Sequence, residues 1–128
     1  MNSKSLTYFI SGHLSLTEEE FKTHYKPKID IALENGGSFV VGDARGADKM
    51  AQVYLADKTK AAIVYHMFES PRNNAGYPTI GGFQSDEERD AQMTKDSGCD
   101  IAWVRSGREN SGTQRNIDRR QKLAKKLT

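Results

Sequence analysis

Two segments of this sequence combine glycine with residues suited to anion binding. The first, Gly42-Asp43-Ala44-Arg45-Gly46-Ala47-Asp48, follows an apolar run and opens into a helical pattern. Backbone N–H groups and the dipole at a helix start attract phosphate, and arginine adds a charge-assisted contact. Asp43 and Asp48 would bind hydroxyl groups or hold the loop, and Asp48 equally suits a helix N-terminus. We therefore expect a ligand to contact Gly42, Asp43, Arg45, Gly46, Ala47 and Asp48.

The second segment, Ser111-Gly112-Thr113, opens the last helical pattern of the chain. Its small hydroxyl residues and glycine predict another phosphate cradle. Ser111 and Gln114 also match a capping box, which would make the segment purely structural. In a parallel sheet both cradles lie at the same edge, and this convergence favours a ligand site.

A third short segment, Ser11-Gly12-His13, stands where the first apolar run ends. Glycine lets the backbone approach a ligand closely, but any tight turn after a strand also uses glycine. We expect these three residues to contact the ligand.

The stretch from Phe68 to Phe83 is rich in proline, glycine and asparagine. Loops of this length are usually functional or disordered. Asparagine amides can read a base, tyrosine can stack on it and arginine can hold a phosphate. We interpret Arg72, Asn73, Asn74 and Tyr77 as lid or base contacts, with a mobile surface loop as the alternative.

Metal binding is not expected, because the three histidines lack paired spacing and companion cysteines. His13 and His66 fall near predicted strand ends, where either could contact a ligand. No cofactor is predicted.

Four β-rich apolar runs, each bounded by turn residues, predict the strands Thr7–Ser11, Ser38–Gly42, Ala62–Met67 and Asp100–Val104. Trp103 is interpreted as a core residue of the last strand. Four helical patterns alternate with the strands. The first begins with a Thr17 and Glu20 capping box, and the others are centred on Ala47–Leu55, Ser85–Asp96 and the stretch after Ser111.

This alternation predicts an α/β three-layer sandwich: a Rossmann-like, open, mostly parallel sheet with helices on both faces. Ligands in such sheets bind beyond the carboxyl ends of the strands, near the switch in strand order. The sequence pattern is also compatible with a fifth strand or with exchanged positions of the edge strands.

The chain has 128 residues, one cysteine and a net charge of +2. This size predicts one domain, and the lone Cys99 excludes an internal disulfide. The short apolar run near the N-terminus is below membrane-span length, so we expect a cytoplasmic protein without a membrane partner.

The glycine-rich segment, with Ala51 one turn later and Ser111-Gly112-Thr113 opening the last helix, resembles the SLOG superfamily. That group includes the Lonely Guy phosphoribohydrolases, the YspA- and YpsA-related proteins and the DNA-processing A protein. The resemblance covers most of the chain and implies a single SLOG-like Rossmannoid domain over residues 1–128 that binds a nucleotide-type small molecule. It also implies a homo-oligomer, most simply a dimer.

Some members of the superfamily hydrolyse the N-glycosidic bond of nucleoside monophosphates with a glutamate in the last helix. Here Gln114, Arg115 and Asn116 stand in that region, and an amide cannot replace the carboxylate. A phosphoribohydrolase-like N-glycosidase would need another acid. The segment Glu88-Arg89-Asp90 is faintly similar to deoxyribosyltransferase-like hydrolases, so the candidate catalytic residues are Asp90, Glu88 and Asp43, with Glu87 as a further choice.

Three functions remain open at this point. The chain binds and possibly cleaves a nucleotide, or it is a sensor or sequestering protein without chemistry, or it binds nucleic acid. The third rests on basic residues of the last helix, which equally suit a solvated helix face: Arg119, Arg120, Lys125 and Lys126.

Overall fold

The structure, a computed structural model, describes residues 6–127, with side chains described through residue 125. Strands and helices alternate along this part of the chain. The strands are β1 (Thr7–Ile10), β2 (Ser38–Gly42), β3 (Ala62–Met67), β4 (Thr79–Phe83) and β5 (Cys99–Ile101). The helices are α1 (Glu18–His24), α2 (Lys26–Glu34), α3 (Ala47–Ala56), α4 (Asp86–Lys95) and α5 (Gly112–Leu127). Within residues 6–127, no helix is long and apolar enough to cross a bilayer.

The strands form one open sheet in the order β4-β3-β2-β1-β5. Every strand pair is parallel, which confirms the predicted α/β sandwich. The chain builds outward from β1 to β4 and then crosses to the other side of β1. The strand order therefore switches between β1 and β5, where open parallel sheets hold their ligands.

Successive strand residues point to opposite faces and bury both. Ile10, Val41 and Val64 belong to one apolar cluster with residues of α1, α2 and α3. Their neighbours Phe9, Val40 and Tyr65 pack with Met93 of α4 on the other face. The helices thus divide into α1–α3 on one face and α4 and α5 on the other.

The first helical pattern forms two helices instead of one. The Thr17 and Glu20 capping box starts α1 as predicted, but α1 ends at His24. Pro27 lies in the first turn of α2, and proline cannot continue a helix from the preceding turn. The predicted apolar face is still directed into the core on both sides of this break, because Tyr25 and Ile29 are both fully buried.

The stretch interpreted as one long loop contains the edge strand β4. The two glycines of Thr-Ile-Gly-Gly-Phe lower its β-propensity, and the segment becomes a strand by pairing with β3. Gly81 lies against the ring of His66, where a Cβ atom would collide. His66 is buried and its Nδ1 contacts the Met67 carbonyl, so it packs the sheet edge.

The last strand is shorter than predicted. It ends at Ile101, so Trp103 lies in the following loop and not in the sheet. The indole is partly buried and stacks on His24 with ring centroids 4.0 Å apart. Trp103 therefore holds the β5–α5 loop against α1.

Candidate functional site

A cavity of about 310 Å³ lies beyond the carboxyl end of β1, beside the switch in strand order. Its walls come from the loop after β1, the start of α3, one face of α4 and the first turns of α5. Residues 9–14 and 108–119 therefore meet at this place although they are far apart in the sequence.

Ser11 lies at the end of β1 with its backbone fully engaged. Its N–H donates to the Ile101 carbonyl at 3.1 Å, and its carbonyl accepts from the Tyr25 hydroxyl at 2.7 Å. Its side chain lines the cavity and is 6% exposed. Among the described residues, Ser11 Oγ is the buried side-chain polar atom without a hydrogen-bond partner. An orphaned hydroxyl of this kind calls for a partner supplied by a ligand or water.

Tyr25 fixes the position of Ser11. Its hydroxyl also accepts from the backbone N–H of Trp103 at 3.1 Å. The buried Tyr25 side chain therefore joins the end of β1 to the loop after β5. A Cβ atom at Gly12 would collide with this hydroxyl and with Ala47. Gly12 is thus required by close packing as well as by its place on the cavity wall.

His13 lines the cavity with a defined tautomer. Its Nε2 accepts from the backbone N–H of Arg105 at 2.9 Å, so in the neutral ring Nδ1 holds the proton. Burial lowers the pKa of His13, and the positive charges of Arg105 and Arg108 lower it further. At neutral pH His13 is an uncharged side chain with one N–H to donate.

The α4 side of the cavity holds arginines paired with acids. Arg89 is 5% exposed and donates to Asp43 at 2.7 Å and to Asp90 at 3.1 Å. Arg72 binds Asp43 through Nη2 at 2.9 Å and Nε at 3.1 Å, and it reaches Asp86 at 3.2 Å. Burial acts to raise the pKa of Asp43, but the hydrogen bonds and charges of both arginines bring it below its ordinary value. Asp43 therefore anchors arginines and does not line this cavity.

Of the candidate catalytic acids, Asp90 and Glu87 line the cavity, and Asp90 is half-buried whereas Glu87 is exposed. Asp90 accepts from Arg89 Nε and from Asn116 Nδ2, each at 3.1 Å. Burial raises its pKa, although Arg89 and Asn116 oppose the shift. Asn116 accepts in turn from Arg119 at 2.6 Å. The amide in the last helix thus positions the Asp90 carboxyl.

Asp48 differs from its neighbours because no arginine binds it directly among the described residues. It is 7% exposed, lines the cavity and accepts from the Ala44 N–H at 3.1 Å. Burial raises its pKa to about 7, and the negative charge of Asp90 adds to the shift against the opposing charge of Arg89. Near neutral pH this side chain exists in both the acid and the carboxylate form.

The glycines of the first anion-binding segment serve packing. A Cβ atom at Gly42 would lie 2.5 Å from Asp48 Oδ2 and 3.1 Å from Arg89 Cζ. Gly46 has a φ of 74°, and a Cβ atom there would collide with the carbonyl oxygens of His13 and Leu14. Ala47 is fully buried against the core. Gly42, Gly46 and Ala47 bring α3 close to β1, and none of the three lines the cavity, so their contact with a ligand stays a prediction.

The α5 side holds arginines without acids. Ser111, Gly112 and Thr113 line the cavity at the helix start, and Ser111 Oγ caps the Gln114 N–H at 3.2 Å. Arg108, Arg115 and Arg119 also line it, and none of them lies within ion-pair distance of an acid in the described part of the chain. Their charge adds to the positive end of the helix dipole.

Several predicted contacts lie elsewhere. Arg45 is exposed and Glu88 is an exposed acceptor for the Gln84 N–H, and neither lines the cavity. Of the predicted lid, Arg72 alone lines it. Tyr77 is buried and donates to the Thr59 carbonyl at 2.9 Å.

The asparagines of the predicted lid shape the loop. Asn74 Oδ1 accepts from the N–H groups of Gly76 and Tyr77, and Asn73 Nδ2 donates to the Asp43 carbonyl at 3.0 Å. The side chains of Asn74 and Tyr77 are thus engaged within the protein, and none of the three residues lines the cavity, so their contact with a base stays a prediction.

Sequence reasoning missed most of the arginines of the site. Arg89 looks like an ordinary surface residue of α4, and only its contact with Asp43, distant in sequence, reveals its role. The basic last helix gave a clearer signal. Arg115 and Arg119 face the cavity, whereas Arg120 binds Asp100 at 3.0 Å and the side chain of Lys126 lies outside the described residues.

The sheet and the position of the cavity define a Rossmann-like α/β protein. No protein family, curated protein or solved structure matches the chain. Within the described residues, no group of histidines, cysteines and acids has the arrangement of a metal site.

Proposed function

We propose that this protein binds a nucleotide or a nucleotide-derived phosphate ester in the cavity between β1, α4 and α5. The observation that supports this most is the contrast in charge across the cavity. Arginines without acid partners line the α5 side, and arginines bound to acids line the α4 side. A ligand with an anionic end and a hydroxyl-bearing end matches this contrast.

The phosphate would lie against the start of α5. Free backbone N–H groups of the first turn, the Thr113 hydroxyl and the guanidinium groups of Arg108 and Arg115 are available there. Arginine binds phosphate oxygens through paired N–H donors, and the N–H groups and dipole of a helix N-terminus favour an anion.

The sugar would lie toward β1 and α4. Ser11 Oγ needs a partner, and His13 Nδ1–H is a donor that Arg105 leaves unused. Asp48 and Asp90 supply carboxyl oxygens for ribose hydroxyl groups. This set of one hydroxyl, one donor and two acids is suited to a polyol.

Cleavage of an N-glycosidic bond is the second candidate function. Asp90 faces the cavity with a raised pKa, as a general acid or base requires. However, both Arg89 and Asn116 hydrogen-bond to its carboxyl group. These bonds favour a positioning role, so we place binding without turnover first. The SLOG relationship and a dimeric state stay predictions, the latter tested by light scattering.

Mass spectrometry and calorimetry of the purified chain with nucleoside monophosphates, nucleoside diphosphates, NAD and ADP-ribose test the proposal. We expect at least one nucleotide to bind, with affinity lowered about thirtyfold in Arg115→Met through the lost charged hydrogen bond. Lys122→Met is the matched control, because Lys122 is exposed on the same helix and outside the cavity. Binding of no nucleotide, or equal losses in both variants, contradicts the proposed function.

Turnover is tested in the same samples by the release of free base. Asp90→Asn should abolish any release, whereas Glu88→Gln should leave it intact, because Glu88 lies outside the cavity. Intact ligand in the wild-type sample after prolonged incubation identifies a sensor or sequestering protein.

A further inference from the structure

A second concave region lies beside the cavity at the carboxyl ends of β3 and β4. It is an open groove of about 670 Å³, and Met67, Phe68, Gly82 and Gln84 form its apolar and amide surface. Arg72 lines both the cavity and this groove. One guanidinium group therefore separates two neighbouring spaces at one edge of the sheet.

Phe68 has an unusual conformation for an exposed aromatic residue. Among the described residues other than glycine, Phe68 is the one with a positive φ, of 55°. Its N–H donates to the Phe83 carbonyl, and its carbonyl accepts from the Gly82 N–H, each at 2.9 Å. These bonds hold the backbone while the side chain remains 57% exposed. Packing does not require this ring, and strain of this kind concentrates at ligand sites.

The groove favours a neutral, hydrogen-bonding ligand over an anion. Its arginine is bound to Asp43 and Asp86, and Glu69 adds a negative charge. Gln84 Nε2 donates to the Gly82 carbonyl at 3.2 Å, which leaves its Oε1 to accept from a ligand. An amino-bearing heterocycle matches an exposed phenyl ring beside carboxylate and amide oxygens.

We infer that this groove binds the heteroaromatic base of the same ligand, stacked on Phe68, while the phosphate lies against α5. The inference rests on the proposed function and extends it to the base. Strands β1 and β3 are two positions apart in the sheet, which corresponds to roughly 10 Å. A nucleoside phosphate spans such a length, so one molecule can reach Ser11 and Phe68 past Arg72.

Calorimetry with the four common ribonucleoside diphosphates and with ribose 5-phosphate, which lacks a base, tests the inference. We expect Phe68→Gly to weaken the best-bound diphosphate about tenfold through lost stacking and to leave ribose 5-phosphate binding unchanged. Glycine adopts positive φ without strain, so this variant should fold at least as well as the wild type. Phe68→Trp should retain the affinity.

Ile80→Ala is the matched control, because Ile80 is an exposed apolar residue of β4 outside the groove. Equal affinity of the wild type and Phe68→Gly for every diphosphate overturns the base site and leaves the phosphate site standing, provided Arg115→Met still weakens binding. Failure of all five probes, and of the monophosphates, NAD and ADP-ribose used above, to bind the wild type overturns the proposed function and this inference together.

Discussion

Arginine lines the cavity from two sides, and the two sets differ in their surroundings. Arg89 is buried among Asp43, Asp86 and Asp90, and its charge is balanced within the protein. Arg115 is exposed at the start of α5 and donates to the Asn110 carbonyl at 2.9 Å. The comparison teaches that the same side chain stabilises the fold on one side and remains available to a ligand on the other.

The largest expected effect is on the free energy of unfolding, for a substitution on the α4 side. Arg89→Met would leave buried carboxylates without their counter-charge and lower the free energy of unfolding by about 3–5 kcal/mol. Urea denaturation followed by circular dichroism measures this loss. Arg115→Met is the control and should change the free energy of unfolding by less than about 0.5 kcal/mol. Equal losses in the two variants would remove the distinction between the two sides.

On the α5 side we expect the opposite result, a loss of ligand affinity without a loss of stability. Arg108→Met should weaken binding of the best nucleotide by about 2 kcal/mol through a lost charged hydrogen bond, with unchanged stability. Calorimetry and thermal denaturation of the same sample measure both quantities. A variant that binds as well as the wild type would show that the α5 side does not hold the phosphate.

Asp48, in the first turn of α3, is a buried carboxyl group of the cavity that no arginine binds within the described residues. Burial raises its pKa to about 7, and an unfolded aspartate ionises near 3.9. The folded chain therefore retains a proton that the unfolded chain releases. The contribution of Asp48 to stability is complete below about pH 4 and is lost as the pH rises through about 7.

Asp48→Asn should abolish this decline. We expect the variant to be more stable than the wild type at about pH 8 by about 4 kcal/mol, relative to their difference at about pH 4. Urea denaturation at both pH values measures it. Parallel pH profiles for the two proteins would contradict the assignment to Asp48.

The smallest expected effect is that of salt concentration on nucleotide affinity. Added sodium chloride screens the exposed α5 side more than the buried Arg89 cluster. Raising the concentration to roughly 0.5 M should weaken nucleotide binding about threefold and leave the free energy of unfolding nearly constant. Binding that is insensitive to salt would place the ligand charge on the buried side.

The sequence predicted four of the five strands and the parallel sheet, because the alternation of strands with helices is a local pattern. The Thr17 capping box likewise marked the start of α1. Strand β4 was not predicted, because its glycines weaken the local signal and only its pairing with β3 makes it a strand. The site was harder, since Arg89 and Asp43 acquire their roles from a contact between distant residues. Ser11 and the start of α5 were identified because strand ends and helix starts are visible in a sequence.

The pairing of β5 with β1 has a consequence for the order of folding. Strand β5 lies beside the first strand although nearly the whole sheet precedes it in the chain. A growing chain can therefore assemble β1 to β4 before residues 108–119 exist to close the cavity. A chain interrupted before β5 would lack the α5 wall, so the cavity is complete only after synthesis has passed this point.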